Sequence, residues 1–513
     1  MSVSFNKQSI GQASILIAVF TIISQALGLI RESLVANYLG TSAEYDIILV
    51  ALAIPSMVGT VIMSALPAAG IPSLPSINGS TKQGSNILRS PFFRINLILG
   101  LTLMGITAVT LPFLGKLLGT GLSKESVGLV LKYGYIFCLL IPIRSLEAAF
   151  QSFLHVRYHF IFPAISTIAF NIVLIGLLAG LFPSMGSQIY VIAVVAGTFM
   201  EMALIGVPAF FMYRRSGSQL ATADFSMPGY IKLLGIIALI DGIGLLADPF
   251  DRYIAGIYLT PGYVSANYYA NIVGQIPIRI IVMSLGVAIF PSLSEMAAKR
   301  DINRLSTLYH RAIAICVMLI IPITIYCLIF RNEIISLLFE RGRFDEQSRA
   351  LTAGVFFYYT LAMIFFAIYF IQSRVLYSMK IWGSLLWARI IGLMGKMAFG
   401  FMLIKEHWAL AIGGGTLIMG AISVLIIEID LYKNIGIRYS PASIKLITRA
   451  VLCGAIMTPI ILIINFSLRN IFELHSFWLL MLSGAGTLLS LLIIEILFNV
   501  TGFDFKKLIA RSN

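Results

Sequence analysis

Apolar runs of about 20 residues recur from one end of the chain to the other, with short polar gaps between them. The runs lack the strict alternation of a strand with one wet face, so they read as helices. Fourteen spans follow: 10–36, 46–71, 93–118, 128–152, 160–182, 188–212, 231–256, 266–291, 308–330, 350–374, 381–404, 408–432, 445–467 and 474–499. Pro112 interrupts the third and Pro277 the eighth. Pro55, Pro142, Pro277 and Pro322 are expected to kink their spans, because proline lacks the amide proton and crowds the preceding turn. Inside the polar stretch 331–349, Ile334, Ile335, Leu337, Leu338 and Phe339 predict a short helix lying in the membrane interface.

Composition turns this pattern into a membrane protein. Of 513 residues, 59% are hydrophobic and 11% charged, against about 25% charged in a soluble domain. No soluble fold of this size hides so much apolar surface. Lipid is the natural solvent, and it demands helices or closed barrels. The expected fold class is an all-α polytopic membrane protein. No polar block is long enough to fold separately. The first apolar run, from Ile10, is too long for a signal-peptide core and lacks a small-x-small cleavage site. Cys138, Cys316, Cys327 and Cys453 lie in apolar segments and read as small hydrophobes.

The net charge of +14 is spread over short loops. That argues for orientation on an anionic membrane, and against nucleic acid as a partner. With Lys7 in the cytoplasm, the cytoplasmic gaps hold Lys82 and Arg89, Arg157, Arg214 and Arg215, Lys299, Arg300 and Arg304, Lys380, and Lys433 with Arg438. Lys506, Lys507 and Arg511 follow in the tail. The opposite gaps are poorer in positive charge. The exception, 331–349, has Arg331, Arg341, Arg343 and Arg349 diluted by Glu333, Glu340, Asp345 and Glu346. The expectation is two cytoplasmic termini and an even number of spans.

An internal repeat sets the architecture. Leu66–Pro75 reads LPAAGIPSLP and Leu285–Ser294 reads LGVAIFPSLS, about 219 positions on. Gln151-Ser152 matches Gln372-Ser373, and Arg31 matches Arg252, both about 221 positions apart. The reading is an N-terminal lobe of six helices (1–220), a C-terminal lobe of six (221–435) and two further helices (436–513). The offset spans an even number of helices, so both copies keep one orientation, which implies a pseudo-two-fold axis along the membrane normal, as in rocker-type transporters.

Charges inside spans are expensive and mark function or pairing. Arg31 and Glu32 fall late in the first span, and Asp46 opens the second. Arg31 reads either as a cavity residue or as a side chain reaching for headgroups. Arg144 and Glu147 share a face of the fourth and read as a pair. The seventh carries Asp241, Asp248, Asp251 and Arg252. The three aspartates are candidates for coupling to a cation or proton, or else balance nearby arginines. Arg279 lies in the eighth span, and Arg389 and Lys396 share a face of the eleventh. Gly413-Gly414-Gly415 lacks the lysine of a phosphate loop and reads as a close-packing site. The candidate substrate-binding set is Arg31, Asp46, Arg144, Arg252, Arg279, Arg389 and Lys396. Guanidinium forks suit phosphate oxygens, so this set points to a lipid with an anionic headgroup. His155, His159, His310, His407 and His475 form no catalytic or metal arrangement, so an enzyme and a metal cofactor are not expected.

Gly28-Leu29-Ile30-Arg31-Glu32, Tyr45-Asp46 and Pro55 resemble the opening helices of the MurJ/MviN family, within the multidrug/oligosaccharidyl-lipid/polysaccharide (MOP) exporter superfamily. The resemblance continues at Ala69–Leu74 and is strongest across Tyr268–Ala298, with YYAN, Ile276-Pro277 and LGVAIFPSLSEMAA. It extends through LLFERGRF at Leu337–Phe344 and the segment Ser373–Lys380. It implies an alternating-access flippase of the bacterial cytoplasmic membrane. Such a protein turns an undecaprenyl-diphosphate-linked glycan to the outer leaflet for cell-wall or surface-polysaccharide synthesis, driven by membrane potential, H+ or Na+. It also implies membrane lipids and glycan-synthesis enzymes as partners, and a central cavity lined by arginines. Arg31 and Asp46 match family positions. The family's basic pair in the second helix falls on Val58-Gly59 here. Its Asp-Arg pair in the eighth falls on Asn271-Ile272, and the following glutamate on Gln275. Arg144, Arg252, Arg279 and Arg389 are candidates to restore the positive charge. The alternative is a cation-coupled small-molecule or drug exporter of the same superfamily, with Asp241 or Asp248 facing its cavity.

Overall fold

A computed structural model describes residues 10–73, 90–119, 123–157, 159–216, 227–470 and 476–498. Lys7, Lys82, Arg89, His475 and the tail residues Lys506, Lys507 and Arg511 lie outside them, as does the end of the LPAAGIPSLP repeat. The chain divides into two compact units. One comprises Met1–Ser265 with Arg341–Phe344, the other Ala266–Glu340 with Asp345–Asn513.

The first unit contains α1 (Ile10–Leu39), α2 (Ala43–Ser73), α3 (Pro91–Leu118), α4 (Lys124–Phe137), α5 (Leu140–Val156), α6 (Ile161–Met185), α7 (Gln188–Ser216), α8 (Met227–Leu245) and α9 (Ala247–Tyr258). It also takes the first residues of α10 (Tyr263–Pro277). The span predicted over 128–152 is α4 and α5 together, broken at Cys138 and Leu139. Pro142 then falls in the first turn of α5, where a missing amide proton costs little. Pro112 does not interrupt the third span: α3 runs through it from Pro91 to Leu118. A membrane helix tolerates such a proline when its neighbours hold it in place.

After Glu44 and Asp46 in its first turn α2 carries no charge, and it packs against α3, α4, α5, α8 and α9. Small residues let the neighbours in: a Cβ on Gly70 would come within 3.1 Å of the Phe92 ring and 3.2 Å of Ser152 Oγ. An aromatic core of Phe92, Phe93, Phe150, Phe153, Tyr213 and Tyr230 fills the space around its C-terminal half.

Segment 341–344 enters this unit through two left-handed glycines. Gly40 has φ +56° and Gly342 φ +57°. A Cβ on Gly342 would overlap the Asn37 carbonyl oxygen, and one on Gly40 would overlap that of Arg343. The close approach lets the Arg343 amide donate to the Asn37 carbonyl at 3.0 Å.

The second unit holds the rest of α10, a π-helical turn (Ile278–Val282), α11 (Met283–Ala298), α12 (Ile302–Ile329), α13 (Arg331–Phe339), α14 (Glu346–Met379), α15 (Gly383–Leu403), a second π turn (Leu410–Gly414), α16 (Gly415–Asp430), a third π turn (Leu431–Ile435), α17 (Pro441–Asn470) and α18 (Ser476–Phe498). Pro277 ends the regular α10 ladder, and the next turn widens rather than breaking the rod. The short helix expected near Ile334 is α13; its Ile335 and Phe339 are buried, with Phe339 against Tyr269 at 4.9 Å between ring centroids. α14 packs against α11, α12, α13 and α16. The glycine run at 413–415 does permit close packing: a Cβ on Gly413 would lie 2.6 Å from Tyr358 Cβ. Gly392 is as tight against Ser423 Oγ, at 2.6 Å. α17 packs on α12, and Tyr326 of α12 donates to the Leu480 carbonyl of α18 at 2.8 Å. All four cysteines are buried thiols.

Thirteen helices among the described residues are long and apolar enough to cross a membrane. The fourteenth expected span is α18, whose side chains are only partly described. The fold is an all-α polytopic membrane fold, as expected.

Two predictions follow from these contacts. Gly342→Val must strain the backbone and displace Asn37, a cost of about 2 kcal/mol or more; the thermal transition of the purified protein, followed by intrinsic fluorescence, is expected to fall by several degrees. Asp345 caps α14 by accepting from the Ser348 amide (2.9 Å) and hydroxyl (2.8 Å), and these bonds hold its carboxyl below the usual carboxylate range. Its contribution is therefore complete above about pH 4 and is lost as pH falls through the depressed folded value. Hydrogen exchange in the first turn of α14, corrected for intrinsic rates, is expected to rise between pH 6 and pH 3, and Asp345→Asn to remove that change.

Candidate functional site

In the first unit the predicted polar residues gather around α2. Asp46, at its head, is buried and accepts from the backbone amides of Gly262 (2.6 Å) and Ser265 (2.8 Å). These are open donors at the start of α10, so the carboxylate caps that helix and meets its positive end. Arg252 reaches α2 three residues further on. It donates to the Leu49 carbonyl and pairs with Asp248 at 2.7 Å, one turn away on α9. Near the middle of α2, Arg144 packs beside Gly59, where a Cβ would lie 3.4 Å from its Cγ. Towards the end, Ser64 Oγ donates to Asp241 at 2.6 Å.

Arg31 ties α1 to α6. Its guanidinium pairs with Glu32 at 2.5 Å, donates to Asn171 Oδ1 at 3.0 Å, and stands over the Phe170 ring at 5.3 Å. Asn171 is itself held by the Ser24 and Thr167 carbonyls. Arg144 makes the expected bond to Glu147 at 2.7 Å, and a second at 2.8 Å to Glu201 of α7. Glu201 is a member that sequence reasoning missed, although a lone acid in an apolar span is a visible signal. The aspartates have separate surroundings: Asp241 with Ser64, Asp248 with Arg252, and Asp251 buried. No group of three His, Cys, Asp or Glu that could hold a metal occurs among the described residues.

In the second unit Arg279 lies exposed on the π turn after Pro277. The Arg389 guanidinium sits 4.4 Å from the centroid of the Tyr369 ring. Its Nε is buried and has no hydrogen-bond partner among the described residues. Seven residues along α15, Lys396 is buried and donates to Thr416 Oγ1 at 2.5 Å. A second missed group is Glu428 of α16. It accepts from Tyr309 (2.5 Å), Gln372 (2.8 Å) and Tyr439 (2.5 Å), joining α12, α14 and the segment before α17. Tyr439 lies beyond the span; burial, then the Glu428 carboxylate, pushes its hydroxyl above the ordinary range. The His310 ring packs against the same ring at 4.4 Å between centroids, tilted by 42°.

The fold is that of a MOP-superfamily transporter. An inward-facing multidrug resistance MATE family transporter of that superfamily aligns with a TM-score of 0.60 at 14% identity, over 82% of this chain and 98% of its own. The structure titled "Lipid II flippase MurJ, inward closed conformation" aligns with a TM-score of 0.76 at 20% identity, over 94% and 98%. In sequence, the family described as "Lipid II flippase MurJ" matches residues 35–483, and the chain belongs to that family. Two relatives named "Probable lipid II flippase MurJ" illustrate the distance. The Aquifex aeolicus (strain VF5) protein is 24% identical over 391 residues, 72% of this chain and 73% of its own. The Rickettsia prowazekii (strain Madrid E) protein is 22% identical over 477 residues, 88% and 90%. Membership puts the chain among membrane transporters rather than enzymes, where the sequence reading had put it.

Glu428 is the acceptor for two buried donors, Tyr309 and Gln372, and for the exposed Tyr439. Glu428→Ala is expected to cost about 3 kcal/mol and Tyr439→Phe about 1 kcal/mol. The ranking of their thermal transitions below wild type checks this.

Proposed function

We propose that this protein is an alternating-access flippase that carries a polyprenyl-diphosphate-linked glycan from the cytoplasmic to the outer leaflet. The cargo is lipid II or a related lipid-linked oligosaccharide for cell-wall or surface-polysaccharide synthesis. The observation that carries the reading is the family match across 35–483. It is supported by guanidinium groups retained inside membrane-spanning helices, since arginine suits a diphosphate.

Among the candidate substrate-binding residues, we favour Arg279 and Arg389 as the first contacts for the diphosphate, with Lys396 as a deeper positive charge. Arg279 is exposed, and Arg389 keeps an uncommitted Nε. Unlike Arg389, Arg31, Arg144 and Arg252 each have a carboxylate to give up before they hold an anion. The lobes 1–220 and 221–435 are the moving bodies in this reading, and 436–513 adds two helices. Membrane potential, H+ or Na+ drives the cycle, with Asp241, Asp248 and Asp251 as candidate coupling residues. The protein sits in the bacterial cytoplasmic membrane with both termini inside, close to enzymes of glycan synthesis.

The test is a leaflet-accessibility assay in reconstituted vesicles with fluorescent lipid II and an impermeant quencher. Wild type is expected to move the label, and Arg279→Gln and Arg389→Gln to slow it about tenfold or more. Unchanged rates in these two and in Arg144→Gln and Arg252→Gln end the arginine assignment. Movement of another lipid-linked oligosaccharide in place of lipid II reassigns the cargo. Movement of neither, with export of a cationic dye, replaces the flippase reading with the drug-exporter one.

A further inference from the structure

In the first unit, α5 and α7 bring three charged side chains to one point. Arg144 Nη1 donates to Glu147 Oε2 at 2.7 Å and to Glu201 Oε2 at 2.8 Å. A single nitrogen serves both carboxylates. The glutamate side chains are 2% and 8% exposed, while Arg144 keeps 24% of its surface open.

With every group in its ordinary ionised form, one guanidinium faces two carboxylates, leaving one excess negative charge inside a membrane-spanning bundle. Little else can balance it. The charged groups that face Glu147 are Glu201 and Arg144. The others on neighbouring elements are Glu44 and Asp46 at the head of α2, Arg94 and Lys116 in α3, Lys124, Glu125 and Lys132 in α4, His155 near the end of α5, and Arg214 and Arg215 in the last turn of α7. α6 contains none. An uncompensated buried charge is removed by binding a counter-charge. A metal cation is disfavoured, because the arginine that both oxygens already bind would repel it. Arginine does not give up its proton. What remains is a proton on one of the two coupled carboxylates.

We infer that Arg144, Glu147 and Glu201 form a protonation site that holds one exchangeable proton across the two carboxylates at neutral pH. Binding converts one carboxylate to a carboxylic acid, and release restores it. The open side of Arg144 is the route by which the proton exchanges. Loss of the proton leaves two carboxylates competing for one nitrogen, which weakens the α5–α7 contact. The site stands on this geometry; only its use in driving transport rests on the flippase reading.

The test is infrared difference spectroscopy on the full-length protein in lipid nanodiscs, which needs no cargo. At pH 7, the wild type minus Glu147→Gln spectrum is expected to show a protonated-carboxyl C=O band of about one group per chain, shifted in D2O. Wild type minus Glu201→Gln is expected to show the same band, since either change leaves one arginine facing one carboxylate. The band should bleach as pH is raised. If one glutamine variant does not fold, Arg144→Gln reads the same site, and there the band should grow towards two groups. No band in any of these comparisons between pH 5 and pH 8 overturns the inference. So does a band abolished by NaCl but not by choline chloride, which would make the ligand a metal cation.

Discussion

A charge inside a lipid-facing bundle has no water to fall back on, so each one must find a partner on another helix. Most of the tertiary organisation can be read from that constraint. Arg31 reaches α6 through Asn171, Arg144 reaches α7 through Glu201, Arg252 reaches the α2 backbone, and Asp46 caps α10. In the second unit Glu428 gathers donors from α12, α14 and the segment before α17. Apolar packing alone specifies a membrane bundle weakly, because lipid tails are as apolar as the side chains they replace. Polar ties and close glycine contacts supply the missing specificity.

The backbone departs from regular helix at a few points, several of them beside these ties. The break at Cys138–Leu139 comes just before Arg144, and the break at Leu246 just before Asp248 and Arg252. The widened turn after Pro277 carries Arg279, and another widened turn starts α16 below Thr416, the partner of Lys396. A turn that departs from the 3.6-residue repeat rotates everything beyond it about the helix axis. It changes which neighbour a charged side chain meets.

The chain belongs to the lipid II flippase family, yet its intramembrane charges are arranged in its own way. Where the family resemblance implies a basic pair in the second helix, Val58 and Gly59 stand here, and Arg144 arrives beside Gly59 from α5. Two glutamates accompany it, so the position gains a titratable cluster rather than bare positive charge. The cation–π pairing of Arg389 with Tyr369 has a different character: it leaves the guanidinium Nε without a hydrogen-bond partner among the described residues.

The apolar runs by themselves determined an all-α membrane protein and the span count, because lipid imposes length and hydropathy on every crossing segment independently. The motifs from Gly28-Leu29-Ile30-Arg31-Glu32 to LLFERGRF determined the family. The i,i+3 spacing determined the Arg144–Glu147 bond, since both residues lie on one helix. Only the tertiary structure decided that Glu201 shares that arginine, that Asp46 caps a helix more than 200 residues away, and that Glu428 collects two tyrosines and a glutamine. Apart from Tyr439, those partners are distant in sequence. A pattern of helical period says which residues share a face, but not which other helix that face will meet, and in a bundle of apolar rods that choice rests on polar contacts that exist only once the helices are packed.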